Sequence, residues 1–257
     1  MFSSSADFEL RVAGRELALC WPRPVALLAG EFAATGEPRH LVDAVERVID
    51  HLLCAELAAA PVAVRKRVLE EKAKPPLMWG RKLKMLEAFL ESRTPPLFDI
   101  WDDAPLWAPM RTALKDVEGW FTRGRSACLA ALWPVVQVRN DHIHRRGLHD
   151  LDPSVLLGTL RALDEAMTRA VLIYVQACDP TSDRNYRLEY LNYNSGSALP
   201  APRQERVSRP LKGGWSMRVE SVDGTRFFDA PWVSQSSTRA ATWRFDYEID
   251  FAKNSRE

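Results

Sequence analysis

Apolar positions recur at two different periods along this chain, and the change from one to the other divides it. Residues 7 to 21 alternate, with Phe8, Leu10 and Val12, then Ala13-Gly14, then Leu17, Leu19 and Trp21. A period of two is that of strands meeting at a short turn, so a β-hairpin is expected within residues 1–34. A helix across residues 15 to 28 is opposed by Pro22 and Pro24.

From Pro38 the period becomes helical. Leu41, Val42, Val45, Val48, Ile49, Leu52 and Leu53 recur at three and four, and Pro38 stands at a first-turn position that does not need its missing N–H. Further helices are expected over 62 to 74, ended by Pro75-Pro76, over 77 to 90, and within 98 to 121, opened near Pro105. The apolar run 127 to 138 predicts a fifth, with Pro134 either kinking it or marking its start. A sixth is expected over 153 to 178 on the stripe Val155, Leu156, Leu160, Leu163, Met167, Val171, Leu172 and Val175.

Beyond a turn-rich linker at Asp179-Pro180-Thr181-Ser182-Asp183 the period returns to two. Tyr186, Leu188 and Tyr190 predict one strand, Trp215, Met217 and Val219 a second, and Phe227-Phe228 a third, with Asp223-Gly224 turning between the last two. Trp243, Phe245, Tyr247, Ile249 and Phe251 alternate strictly with charged residues, and residues 194 to 214 look like a long loop. The expected fold class is α+β: mainly a helical bundle over 35–178, with a small antiparallel sheet from 184–257 that the N-terminal hairpin could join. So small a sheet buries too little to stand alone and is expected to lean on the bundle or the hairpin.

Composition adds exclusions. The formal charge is +1, from 35 basic and 34 acidic residues, so nucleic-acid binding requires a local basic cluster rather than a global field. Cys20, Cys54, Cys128 and Cys178 form no Cys-x-x-Cys pair, which points to buried free thiols in a reducing cytosol. No cationic leader or apolar span is present, so a soluble, cytoplasmic protein without membrane contact is expected. P-loop, dinucleotide and Gly-x-Ser-x-Gly signatures are absent from the sequence.

The chemistry-bearing stretch is 139 to 147, Arg139-Asn140-Asp141-His142-Ile143-His144-Arg145-Arg146-Gly147, directly behind the apolar run of the fifth helix. On a helix of about 100° per residue, Asn140 and His144 share a face, Arg139 and His144 diverge by about 140°, and His142 and His144 point about 200° apart. A histidine can take the proton from a ribose 2′-hydroxyl or deliver one to the leaving 5′-oxygen, while a guanidinium holds the non-bridging oxygens of the phosphate. Gly147 suits a helix C-terminus, where Arg145 and Arg146 complement the dipole and are candidate RNA contacts. A solvated basic helix end is the plain alternative. A zinc or manganese site from His142, His144 and His149 with Asp141 or Asp150 is disfavoured by the helical divergence.

This stretch resembles the R-x4-6-H motif of HEPN domains, in which a polar residue, commonly Asn, follows the Arg on a late helix of an all-helical bundle. The resemblance covers residues 37 to 178 and leaves the β segments aside, and Pro134 departs from it. It implies a metal-independent endoribonuclease, with RNA as substrate and no cofactor, acting as a homodimer in a prokaryotic defence or toxin–antitoxin setting beside an antitoxin or defence-complex partner protein. Arg139, Asn140 and His144 take the catalytic positions, with Asp141 and His142 as supports. A non-catalytic HEPN-like RNA- or protein-binding subunit is the alternative. Arg65-Lys66-Arg67 and Arg81-Lys82-Leu83-Lys84 are basic clusters able to track an RNA backbone or to form solvated helix faces, and His51 with Arg47 reads as an i, i+4 surface pair.

Overall fold

The computed structural model describes residues 5–72, 79–113, 126–143, 152–193, 201–221, 223–236 and 246–251. The described residues are mixed α+β. They hold the helices α1 (Ser5–Cys20), α2 (Arg23–Thr35), α3 (Arg39–Ala59), α4 (Val62–Lys72), α5 (Trp79–Leu90), α6 (Ala104–Ala113), α7 (Ala127–Ile143), α8 (Pro153–Ala162) and α9 (Asp164–Arg169), with a 3-10 turn at Asp99–Asp102 before α6. Strands β1 (Ala170–Pro180), β2 (Tyr186–Asn192), β3 (Ala201–Val207), β4 (Gly214–Ser221) and β5 (Gly224–Asp229) form one antiparallel sheet in the order β3-β2-β1-β4-β5. Strands β6 (Val233–Ser236) and β7 (Asp246–Ile249) pair separately.

The axis of the molecule is α3, 21 residues long and buried along nearly its whole length. Leu41, Val45, Val48, Ile49, Leu52 and Leu53 are excluded from solvent as their spacing predicts. The helix also buries five polar side chains, His40, Glu46, Asp50, His51 and Glu56, each answered by a partner. His51 corrects the surface-pair expectation. It is 1% exposed, its Nε2 donates to the Ala170 carbonyl at 2.5 Å, and Arg47 instead faces Asp50. Burial lowers the His51 pKa to about 4, against the help of that hydrogen bond, so the ring is neutral at pH 7.

The N-terminal hairpin is overturned: the segment is α1 and α2. The residues facing inward are Leu10, Ala13, Leu17 and Trp21, a helical stripe, whereas Phe8 and Leu19 are 56% and 71% exposed. Gly14 is a contact rather than a turn, since a Cβ there would meet Phe32 Cδ1 at 3.1 Å and the Ala29 carbonyl at 3.2 Å. The two prolines separate the helices, with Pro22 capping α2 and Pro24 in its first turn. Trp21 then ties α1 to α9 by donating from its indole N–H to the Asp164 carboxylate.

The expected sixth helix is also corrected. It breaks after Ala162, resumes for one short turn in α9, and passes directly into β1, so the bundle ends at Arg169 rather than at 178. Val171, Leu172, Ile173 and Val175 look helical by spacing, but a central strand buried on both faces also reads as a continuous apolar run. Ala170 and Leu172 join the bundle core, while Val171, Ile173 and Val175 join a second cluster with Leu188, Tyr190, Val207, Leu211 and Phe227 on the outer face. The supposed linker at 179 to 183 is the end of β1 and its turn into β2, with Thr181 donating to the Asn185 carbonyl. Within the expected 194 to 214 loop lies β3, paired along its length with β2. The β2, β4 and β5 expectations and the Asp223-Gly224 turn hold, with Gly224 at a φ of 112°. Of the last alternating segment, 246–249 is strand and 237–245 lies outside the described residues.

The sheet leans on the bundle as its size requires. Trp232 donates to Cys54 Sγ at 2.7 Å across that contact, and burial pushes the Cys54 thiol up to about 12. Cys54 and Cys128 are buried free thiols and Cys178 is partly buried. No described helix is long and apolar enough to cross a membrane.

Glu56 closes the far end of α3. Its carboxylate accepts from Leu97 N at 2.8 Å, Phe98 N at 3.2 Å and Trp101 Nε1 at 2.7 Å, which fastens the segment leading into the 3-10 turn. Burial outweighs these three donors and raises its pKa from 4.5 to about 7. Folding therefore takes up a proton between those values, and stability falls as pH rises from about 4.5 through about 7. His51 acts in the opposite sense from about 4 through its ordinary value of 6.5, and so offsets part of the Glu56 slope near neutral pH. In urea titrations from pH 6.5 to 7.5 the unfolding free energy of the wild type is expected to fall by about 0.7 kcal/mol relative to that of Glu56→Gln, which lacks this contribution. An unchanged slope in the variant would remove Glu56 from the account.

Candidate functional site

The fifth predicted helix is α7, which runs through Pro134 without a break and carries Arg139 and Asn140 in its last turns. Both are partly buried. The side chains of Asp141 and His142 lie outside the described ones, as do residues 144 to 151, which include His144, Arg145, Arg146, Gly147, His149 and Asp150. The structure therefore places Arg139 and Asn140 in consecutive positions of one helix end and leaves the convergence of His144 with them unaddressed.

Arg139 is already engaged. Its Nε donates to Asp43 Oδ1 at 3.3 Å, and its Nη2 lies 3.4 Å from Glu46 Oε2, so one edge of the guanidinium is shared between two carboxylates of α3. Among the described residues Nη1 has no such partner. Glu46 also accepts from Lys82 Nζ on α5 at 3.0 Å, and the same ammonium donates to Asp50 Oδ2 at 2.7 Å. Arg47 completes the chain, 3.3 Å from Asp50 Oδ2. Three helices thus converge on one ion network of three acidic and three basic side chains, which carries no formal net charge.

Depth within the network sets its electrostatics. Asp50 and Lys82 are nearly excluded from water, whereas the Arg139 and Asp43 side chains are 26% and 42% exposed. Burial works against the charge of Lys82, but Asp50 and Glu46 outweigh it and hold the ammonium above the usual lysine range. Burial pushes the Asp50 carboxyl up, with Lys82 opposing. The inner end is therefore structural, and the outer end presents an oriented guanidinium to solvent. Such a group binds a phosphate through its remaining N–H donors without first being ordered.

Asp43, Glu46 and Asp50 were not singled out by sequence, and Lys82 was read only as a member of the basic cluster 81 to 84. The signal was present: Asp43, Glu46 and Asp50 fall at i, i+3 and i+7 on one side of α3 with Arg47 among them, and Lys82 sits between Trp79 and Leu86 on the buried stripe of α5. The 81 to 84 cluster is accordingly not a single basic face, since Lys82 is buried and Lys84 exposed. Among the described residues no three His, Cys, Asp or Glu side chains are grouped to hold a metal ion. The chain matches no protein-family model, no curated protein and no solved structure.

Proposed function

We propose that this protein is a HEPN-like, metal-independent endoribonuclease that cleaves RNA by attack of a 2′-hydroxyl, as a homodimer, in a prokaryotic defence or toxin–antitoxin setting. The observation that carries the proposal is Arg139 at the end of α7, braced on one guanidinium edge by Asp43 and Glu46 and, among the described residues, without a partner on Nη1. In this reading Arg139 holds the scissile phosphate and His144 exchanges the proton. The 2′-oxygen bonds to phosphorus, the bond to the 5′-oxygen breaks, and the products are a 2′,3′-cyclic phosphate and a 5′-hydroxyl. Asn140 orients one of the two, Asp141 and His142 support them, and Arg145 and Arg146 contact the strand. Arg139 and His144 diverge on a helix, so two copies related by a two-fold axis are the means of completing the site. A monomeric variant with the motif intact should then be inactive.

The second reading is a non-catalytic HEPN-like subunit that binds RNA or an antitoxin or defence-complex partner. The charge balance of the ion network favours it, because Asp43 and Glu46 already neutralise Arg139. One assay separates the two. Purified protein is incubated with mixed RNA and tRNA in EDTA, beside Arg139→Ala and His144→Ala. Cleavage by the wild type alone supports the enzyme, equal cleavage by all three excludes the assigned residues, and activity lost only in EDTA excludes the metal-independent route.

A further inference from the structure

At the opposite end of α3 from Arg139 an open cavity of about 570 Å³ runs between the start of α4 and the β-sheet. Basic side chains line both walls, Arg65 and Lys66 from α4, and Arg209 and Lys212 from the connection between β3 and β4. The acidic lining is Glu70, which lies 3.7 Å from Lys66, and Asp229. Among the described residues no carboxylate pairs with Arg65, Arg209 or Lys212. The groove therefore carries an excess of positive charge on a chain whose formal net charge is only +1.

The two guanidiniums are fixed rather than trailing in solvent. Arg65 donates to the Ala58 carbonyl at 3.3 Å and lies 5.9 Å above the Trp232 ring. Arg209 donates to the Phe227 carbonyl and lies 6.0 Å above the Phe228 ring. Holding an arginine on a ring face and a carbonyl removes much of the rotamer entropy that binding an anion would otherwise cost. The first turn of α4 adds backbone donors, since its first N–H with a helical partner is Arg65 N, bonded to the Pro61 carbonyl. Phe228 is half-buried at the groove, packed against the core, and serves as the platform that holds Arg209.

We propose that this groove binds the phosphodiester backbone of a single RNA strand, deepening the endoribonuclease reading and resting on it for the identity of the ligand. Cations on two facing walls of an open channel suit a passing chain better than a small molecule, whose phosphate would need them convergent at one end. Thirteen residue steps along α3 lead from Glu46 to Ala59, about 20 Å of helix. A strand that reaches both places must be several nucleotides long. The groove then selects long, unpaired RNA and leaves the chemistry to the other end of the helix.

The test is binding, so that it does not depend on cleavage. A fluorescent 2′-O-methyl oligoribonucleotide of about 12 nucleotides, which cannot be cut by 2′-hydroxyl attack, is titrated in EDTA and followed by anisotropy across a salt series. Arg209→Ala/Lys212→Ala is expected to weaken binding tenfold or more at low salt and to reduce the slope of log K against log salt by about 1.4, the value for two lost single-strand phosphate contacts. Lys212→Glu serves as a second variant, with thermal melts showing that both are folded. Arg139→Ala is expected to lower the slope by no more than about 0.7, the value of its own single phosphate contact, and to leave the share of this groove in place; a wild-type protein that binds the strand and cleaves no RNA overturns the catalytic assignment and not this one. Equal affinity and slope in wild type and both groove variants overturns the proposal. So does absence of binding by the wild type, or competition by AMP at the same concentration as the oligonucleotide.

Discussion

Replacing Lys82 with alanine is expected to lower the unfolding free energy by about 3 to 5 kcal/mol, which is a large share of the 5 to 15 kcal/mol typical of a folded domain. The ammonium donates to Glu46 and Asp50 at 3.0 and 2.7 Å, and both lie where water cannot replace it. Without it two carboxylates share a dry site with only the partly exposed Arg139 and Arg47 against them. Lys82→Met separates charge from volume, because methionine retains most of the buried stem, and it should remain destabilising by at least about 2 kcal/mol. Converting Glu46, Asp50 and Lys82 together to leucine, leucine and methionine should recover most of the loss, since an apolar set of similar volume often matches a buried ion network. Urea denaturation of the four proteins measures this. A Lys82→Met cost below about 1 kcal/mol would mean the network is hydrated and the assignment of its inner end as structural is wrong.

Arg139→Ala is expected to reduce RNA cleavage by about 100-fold or more while changing stability little, because its side chain is a quarter exposed and its removal leaves Asp43 in reach of water. Lysine is a poor substitute. A single ammonium cannot span Asp43 and Glu46 and still offer a donor pair to phosphate, so Arg139→Lys should restore no more than about a tenth of the lost rate. His144→Ala should fall in the range of about 100- to 10,000-fold for a missing proton carrier. Asp43→Ala distinguishes bracing from competition. If Asp43 orients the guanidinium, its loss lowers the rate by about tenfold, whereas a faster variant would show that the carboxylate competes with the phosphate. Single-turnover rates on a defined RNA resolve these cases, and equal rates for wild type and Arg139→Ala would remove Arg139 from the chemistry.

Helical spacing made α3 legible because its apolar stripe is long, although the helix is buried on nearly every side, and β2, β4 and β5 were legible because one face of each is wet. Three elements were misread for physical reasons. In α1 the eye follows Phe8, Leu10 and Val12, yet two of these face solvent and the true stripe runs through Ala13, a residue small enough to be overlooked. In β1 both faces are covered, so the alternation that marks a strand is absent. β3 fails in the opposite way: an edge strand holding Pro202, Arg203 and Arg206 is polar because an edge is protected by charge and proline. Within the site, Arg139 was legible from its local company, but its acidic partners were not, because they stand about a hundred residues earlier and become neighbours only when α3, α5 and α7 pack. A basic stretch such as 81 to 84 likewise hides the lysine that points inward.

The passage from α9 into β1 leaves no residue between helix and strand, since Ala170 both follows the last helical turn and accepts the His51 hydrogen bond from α3. A protein assembled in this way cannot exchange its sheet for another as a tethered cargo could be exchanged. The sheet is thus hung on the bundle through β1 with no intervening residue to act as a hinge.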